Sequence, residues 1–151
     1  MKKIILLLFI SGTCINLLSA QSIVGSWKTI SNTLVNSDGS ADNLTVMQQK
    51  QWPCMADIQT IFEASGKQYM KSPKNCGPFD FSKVVPSTWK MLGNTISITN
   101  TSMPNPLGKT ATYTVAFAGN TATFTHEYTA AEKAKLHSKA IKKVIITYQR
   151  V

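Results

Sequence analysis

Apolar and polar residues alternate along most of this chain with a period of two, the spacing of a strand that buries one face. Ile23 to Val35 carries the first such run, with Gly25 as a bend. Over Asp57 to Glu63, Ile58, Thr60 and Phe62 share one face, and Ala64-Ser65-Gly66 turns the chain into Lys67 to Lys71. Trp89 to Leu92 and Ile96 to Thr99 flank the turn Gly93-Asn94. A third hairpin carries Tyr113, Val115 and Phe117 through Gly119-Asn120 into Thr121 to Tyr128. The last strand runs from Ile141 to Val151 through Val144, Ile146 and Tyr148. Asn36 to Gln51 is the one long interval without alternation and reads as a loop with a short helical turn over Leu44 to Gln48. Thr129-Ala130-Ala131-Glu132 fits a capping box, which predicts a short helix running to about Ser138.

About eight strands joined mostly by tight turns predict an all-β fold: an antiparallel up-and-down eight-stranded β-barrel with one short helix before the last strand. A two-sheet sandwich is the rival, but it needs Greek-key crossovers, whereas short turns make neighbours in sequence neighbours in space. Closure also removes the exposed edges that a strand-rich protein must otherwise protect. The length suits one domain over residues 21–151.

Met1 to Ala20 opens with Lys2 and Lys3, continues through the apolar run Ile4 to Ile10, and ends at Leu18-Ser19-Ala20, the layout of a signal peptide. Ser11, Gly12, Thr13 and Asn16 interrupt the run before it reaches the roughly 18 to 20 apolar residues that span a bilayer. Cleavage before Gln21 removes Cys14 and leaves Cys54 and Cys76, the even number a disulfide needs outside the cytoplasm. These two lie too far apart for a C-x-x-C metal knuckle, and no histidine stands at ligand spacing from either. A bridge closing a loop of about 20 residues stabilises by about 3 kcal/mol. The expected location is secreted or periplasmic.

The formal charge is +9, which loss of Lys2 and Lys3 lowers to +7. Apart from Lys2-Lys3 and Lys142-Lys143 the lysines are scattered singly, and Arg150 is the sole arginine, a pattern unlike the clustered Arg and interleaved aromatics of nucleic-acid binders. Catalytic patterns are missing too. There is no G-x-S-x-G elbow, phosphate loop, dinucleotide fingerprint or metal helix. His126 lies in an alternating strand, His137 in the basic helix, and the seven acidic residues are dispersed. The expectation is a non-enzymatic protein with no cofactor and no metal site.

Gly25-Ser26-Trp27-Lys28 resembles the G-x-W signature that opens lipocalins and related calycin barrels, and Arg150 resembles the basic residue that packs over that tryptophan. Cys54, Asp57-Ile58, Phe62, Ser65-Gly66-Lys67, Cys76, Thr88-Trp89-Lys90 and Gly93-Asn94-Thr95-Ile96 resemble lipocalin-like domains of secreted proteins from Bacteroidota-type bacteria. Ser87 departs from that pattern where glycine is usual. The resemblance implies that Trp27 and Arg150 are a structural plug at one end of the barrel. On such a barrel, alternation points Phe62, Tyr69, Met91, Ile98, Tyr113, Phe117, Phe124 and Tyr128 inward as candidate ligand-lining residues. The implied function is binding or carrying a small hydrophobic molecule, anionic if a lysine or arginine at the mouth pairs with a carboxylate. The alternative is a cell-surface or envelope interaction module whose barrel core is filled.

Overall fold

A computed structural model describes residues 22–72, 76–77, 80–100, 108–136 and 140–151. The expected signal segment Met1 to Ala20, His137 and the helix end at Ser138 lie outside them. Nine strands form one sheet: β1 (Gly25–Asn36), β2 (Ala41–Asn43), β3 (Gln59–Phe62), β4 (Lys67–Lys71), β5 (Ser87–Leu92), β6 (Thr95–Thr99), β7 (Thr110–Ala118), β8 (Thr121–Glu127) and β9 (Ile141–Arg150). Each of β3 to β9 pairs with its neighbour in sequence, and β1 pairs with both β3 and β9, so these eight strands close an antiparallel up-and-down barrel. β2 is an extra strand against the far half of β1, where Thr33, Leu34 and Val35 face Asn43, Asp42 and Ala41. The short helix α2 (Ala130–Lys135) precedes the last strand, with the capping box closed between Thr129 and Glu132.

The interval from Asn36 to Gln51 is more ordered than its sequence suggests, for it holds β2 and a second helix, α1 (Leu44–Gln51). Its apolar residues follow no helical period, so periodicity could not reveal it. The helix starts because Asn43 Oδ1 accepts from the amides of Thr45 and Val46, satisfying two of the first-turn donors that a helix leaves unpaired.

The core follows from strand parity. Directly opposed residues of an antiparallel pair share a face, and the register places Trp27 opposite Thr60, Ile96 opposite Tyr113, Val115 opposite Phe124, and Phe124 opposite Ile146. Ile23, Trp27, Phe62, Ile96, Val115, Ala122 and Phe124 form the buried cluster. The ring of Phe124 lies 5.0 Å from that of Tyr148, edge to face, and about 6 Å from those of Phe62 and Tyr113.

One irregularity in β1 decides which side chains reach the interior. Thr29 pairs with Tyr148 and Ser31 with Thr147, so Ile30 is an extra residue, a β-bulge. Without it Thr29, Ser31 and Thr33 would point inward. With it Ile30 faces solvent, 48% exposed, and Asn32 and Leu34 fall opposite the inward Ile146 and Val144.

Candidate functional site

One end of the barrel is shut by Trp27 and Arg150. The Trp27 indole N–H donates to the Ile23 carbonyl at 2.7 Å, and the Arg150 guanidinium lies 4.4 Å from the indole centroid. Arg150 also donates through its two terminal nitrogens to the carbonyls of Val24 and Ser22. Gly25 lies beside this arrangement with φ +136°, and a Cβ there would stand 3.0 Å from Arg150 Nη1. The chain before β1 is thereby stitched across the barrel floor.

The eight residues expected to line a ligand space divide unevenly. Phe62 and Phe124 are fully buried in the core cluster, and Met91, Ile98, Tyr113 and Phe117 pack against it. Tyr128 lies just past β8 with its ring edge-on to His126 at 4.9 Å. Tyr69 is a correction: it pairs with Ile61, while Phe62 pairs with Gln68 and Thr60 with Met70, so Gln68 and Met70 take the inward face. The turn from Glu63 to Lys67 fixes that parity. Tyr69, Ile98 and Tyr113 border a cavity of about 180 Å³ near Val84, Val85 and Ser87. None of the eight borders a further cavity beneath α1, and Tyr113 also borders a more open hollow of about 630 Å³ beside His126 and Glu132.

The cavity beneath α1, about 340 Å³, sits beyond the core on the side away from Trp27. β1 contributes Thr29 and Asn32, β3 contributes Thr60, β4 contributes Gln68 and Met70, and β9 contributes Ile146 and Tyr148. The roof comes from α1 through Thr45, Gln48 and Gln49, with Met55, Ile58 and Phe81 beside it. Ile146 and Tyr148 were expected on the last strand but not among the inward residues, Asn32 depends on the bulge, and the roof uses the helix of which the sequence showed only a short turn over Leu44 to Gln48.

A disulfide holds that roof. Cys54 and Cys76 are bonded, tying the 3-10 turn Pro53–Asp57 behind α1 to the connection between β4 and β5. Cys76 is wholly buried, and Gly77 beside it has φ +61° with the Trp52 ring where a Cβ would go, 2.8 Å away.

The polar lining of the cavity beneath α1 comes from Thr29, Asn32, Thr45, Thr60 and Tyr148 and from three glutamines, Gln48, Gln49 and Gln68. The Tyr148 hydroxyl is hydrogen-bonded to Thr29 and Thr60, and full burial pushes its pKa well above the ordinary tyrosine value. Asn32 Oδ1 and Thr45 Oγ1, by contrast, are shut off from solvent and have no hydrogen-bond partner among the described residues. Among the described residues no lysine, arginine or carboxylate lines either of these two cavities.

A second polar cluster lies where β8 leads into α2. His126 Nδ1 is 2.7 Å from the Thr112 carbonyl, which can only accept, so Nδ1 carries a proton. Nε2 stands 3.3 Å from Glu132 Oε1, an ion-pair distance without hydrogen-bond alignment. Glu132 Oε2 accepts from the Thr129 amide and hydroxyl. Burial would raise the Glu132 pKa, but these bonds and His126 outweigh it and hold the carboxyl below its usual value. The cluster fastens α2 to the barrel. Among the described residues no group of three His, Cys, Asp or Glu converges as a metal site, and no helix is long and apolar enough to cross a membrane.

Comparison with known protein families, with curated proteins and with solved structures finds no match.

Proposed function

We propose that this is an exported, lipocalin-like binding protein that holds one small, largely apolar molecule in the cavity beneath α1 and catalyses nothing. The observation that carries this reading is the cavity of about 340 Å³ between the core and a disulfide-tethered roof, where Met55, Ile58, Met70, Phe81 and Ile146 stand among polar side chains of the barrel wall and α1. A filled barrel serving only as a contact module would have no need of that space, because an eight-stranded barrel can be packed solid by its own side chains. The lipocalin-like assignment rests on the Trp27 and Arg150 plug together with the up-and-down topology. Export rests on the Met1 to Ala20 pattern and on a disulfide that survives only in an oxidising compartment.

Native mass spectrometry of the protein purified from its own cells tests the proposal. The expected result is a single small molecule bound per chain. It should be lost in Met70→Trp, which fills the cavity while circular dichroism shows the barrel retained. A preparation that is empty, and that takes up no small apolar probe, removes the proposal. The expected mature N-terminus is Gln21.

A further inference from the structure

Two cavities of the barrel share one wall. Gln68 and Met70 border both the cavity beneath α1, about 340 Å³, and the cavity near Val84 and Val85, about 180 Å³, and among the described residues they are the only ones the two have in common. They are alternate, inward residues of β4, opposite Phe62 and Thr60. A single connection covers both spaces: Phe81 of the 3-10 turn Phe81–Lys83 borders the first, and Val84 and Val85, which follow it, border the second. The two spaces therefore adjoin under one stretch of chain, divided by two side chains.

The second cavity lies at the shortest join of the barrel. β4 and β5 are held by two residue pairs, Lys67 with Thr88 and Gln68 with Ser87, where every other join has four or more. Beyond Gln68 the ladder stops, and the space at this seam is bordered by Tyr69 and Met70 on β4 and by Val84 and Val85 ahead of Ser87. Ile98 and Ala111, paired across β6 and β7, form its far wall.

Neither dividing side chain is locked. Met70 has three rotatable bonds and a soft thioether that fills gaps of changing shape. Gln68 is equally unbranched, and its carboxamide has no hydrogen-bond partner among the described residues, so turning it aside breaks no bond. A side chain branched at Cβ would make a stiff wall at these positions, whereas these two make a movable one.

We infer that Gln68 and Met70 are a movable partition within one elongated site, which takes a chain-shaped, largely apolar molecule lying from beneath α1 to the seam between β4 and β5. This rests on the reading of the cavity beneath α1 as a binding site. Gln48 and Gln49 of α1 stand at one end with donors and acceptors for a polar head group. Val84, Val85, Ile98 and Ala111, alongside Ser87 and Asn100, receive the far end of the chain. At ~30 Å³ per molecule of liquid water, the cavity beneath α1 alone matches a ligand of about eleven non-hydrogen atoms, and the joined site one of about seventeen.

Straight-chain primary alcohols from octanol to tetradecanol test the inference by calorimetry and amide chemical shifts on the intact, oxidised protein. In a joined site each added methylene should tighten binding about fourfold all the way to tetradecanol, the gain from burying one more CH₂. Octanol fits beneath α1 and should shift Ile146; tetradecanol should shift Ile98 and Ala111 as well. Ala111→Leu, which fills the seam cavity from the sheet, should weaken tetradecanol at least about tenfold and leave octanol within about twofold. Val84→Trp fills the same space from the connection and should do likewise, so the outcome does not hang on one variant folding. Affinity that levels off at decanol, a long chain that leaves Ile98 and Ala111 unshifted, or filled variants that bind tetradecanol as tightly as the parent protein overturn the joined site and leave the cavity beneath α1 as a binding site. If no alcohol of the series binds, both readings fall.

Discussion

Arg150 acts on the fold through three contacts at once: its guanidinium lies on the Trp27 ring and bonds two carbonyls of the chain that leads into β1. A cation over an aromatic face contributes about 0.5 to 1 kcal/mol at an accessible site, and hydrogen bonds from a charged donor about 1.5 to 3 kcal/mol. Arg150→Met is therefore expected to lower unfolding stability by about 2 kcal/mol in urea titration. Arg150→Lys should recover only part of this, since a single ammonium cannot both stack and bridge two carbonyls. A loss near zero for Arg150→Met would show the floor to be closed by Trp27 alone. Gly25→Ala should be destabilising by a similar amount, because φ +136° strains any L side chain and its methyl meets Arg150 Nη1. All three residues stood out in the sequence, Gly25 and Trp27 as a short motif and Arg150 as the sole arginine. Asn32 did not, because its inward direction depends on one inserted residue two positions earlier.

Among the elements, the hairpins were fully legible and α1 only in part. β7 and β8 alternate cleanly, carry Gly119-Asn120 between them, and pair as expected, with Val115 against Phe124 and Phe117 against Ala122. α1 lacks any apolar stripe, so the helical turn expected over Leu44 to Gln48 underestimated a helix that Asn43 starts and that runs to Gln51. Asn43→Ala should cost about 1 kcal/mol and speed amide exchange through α1, with exchange in β7 and β8 unchanged. α2 was announced by its capping box, and that box gives it an acid dependence. The Glu132 carboxyl is held below its ordinary value of 4.5, so its stabilising contribution is complete above that value and is lost as pH falls through the lowered one. The thermal midpoints of the parent protein and Glu132→Gln should accordingly differ most at about pH 6 and converge towards about pH 3. A constant difference across that range would mean the carboxylate charge plays no part.

At the scale of the whole molecule, the barrel has a packed half and an open half, and the disulfide belongs to the open one. Breaking the bond with Cys54→Ser and Cys76→Ser together should lower stability by about 3 kcal/mol, the entropy of closing a loop of this length. It should also speed release of any bound probe, because Met55 and Phe81 lose the tether that holds them over the cavity. Unchanged release alongside the full stability loss would separate the roof from the fold. Two buried tyrosines predict an alkaline limit. Burial pushes the Tyr113 pKa up to about 12 and that of Tyr148 higher, so once pH passes 10 the unfolded chain gives up phenolic protons that the folded chain keeps, and stability falls. Their contribution is whole below pH 10 and is lost as pH rises through the raised values. Their phenolate absorbance should appear together with unfolding, and gradual ionisation in a folded barrel would show that the interior is wet.

What the sequence settled by itself was everything local: period-two alternation, turn residues, the capping box and the cysteine pair define strands, their order and one covalent link, because each depends on neighbours a few positions away or on simple counting. What only the tertiary structure decided was direction. A bulge at Ile30 reversed the facing of half of β1, a four-residue turn put Gln68 and Met70 inside in place of Tyr69, and a helix without periodicity became a roof. Side-chain facing changes with every single-residue shift of register, and register is set by the whole closed sheet rather than by any one strand.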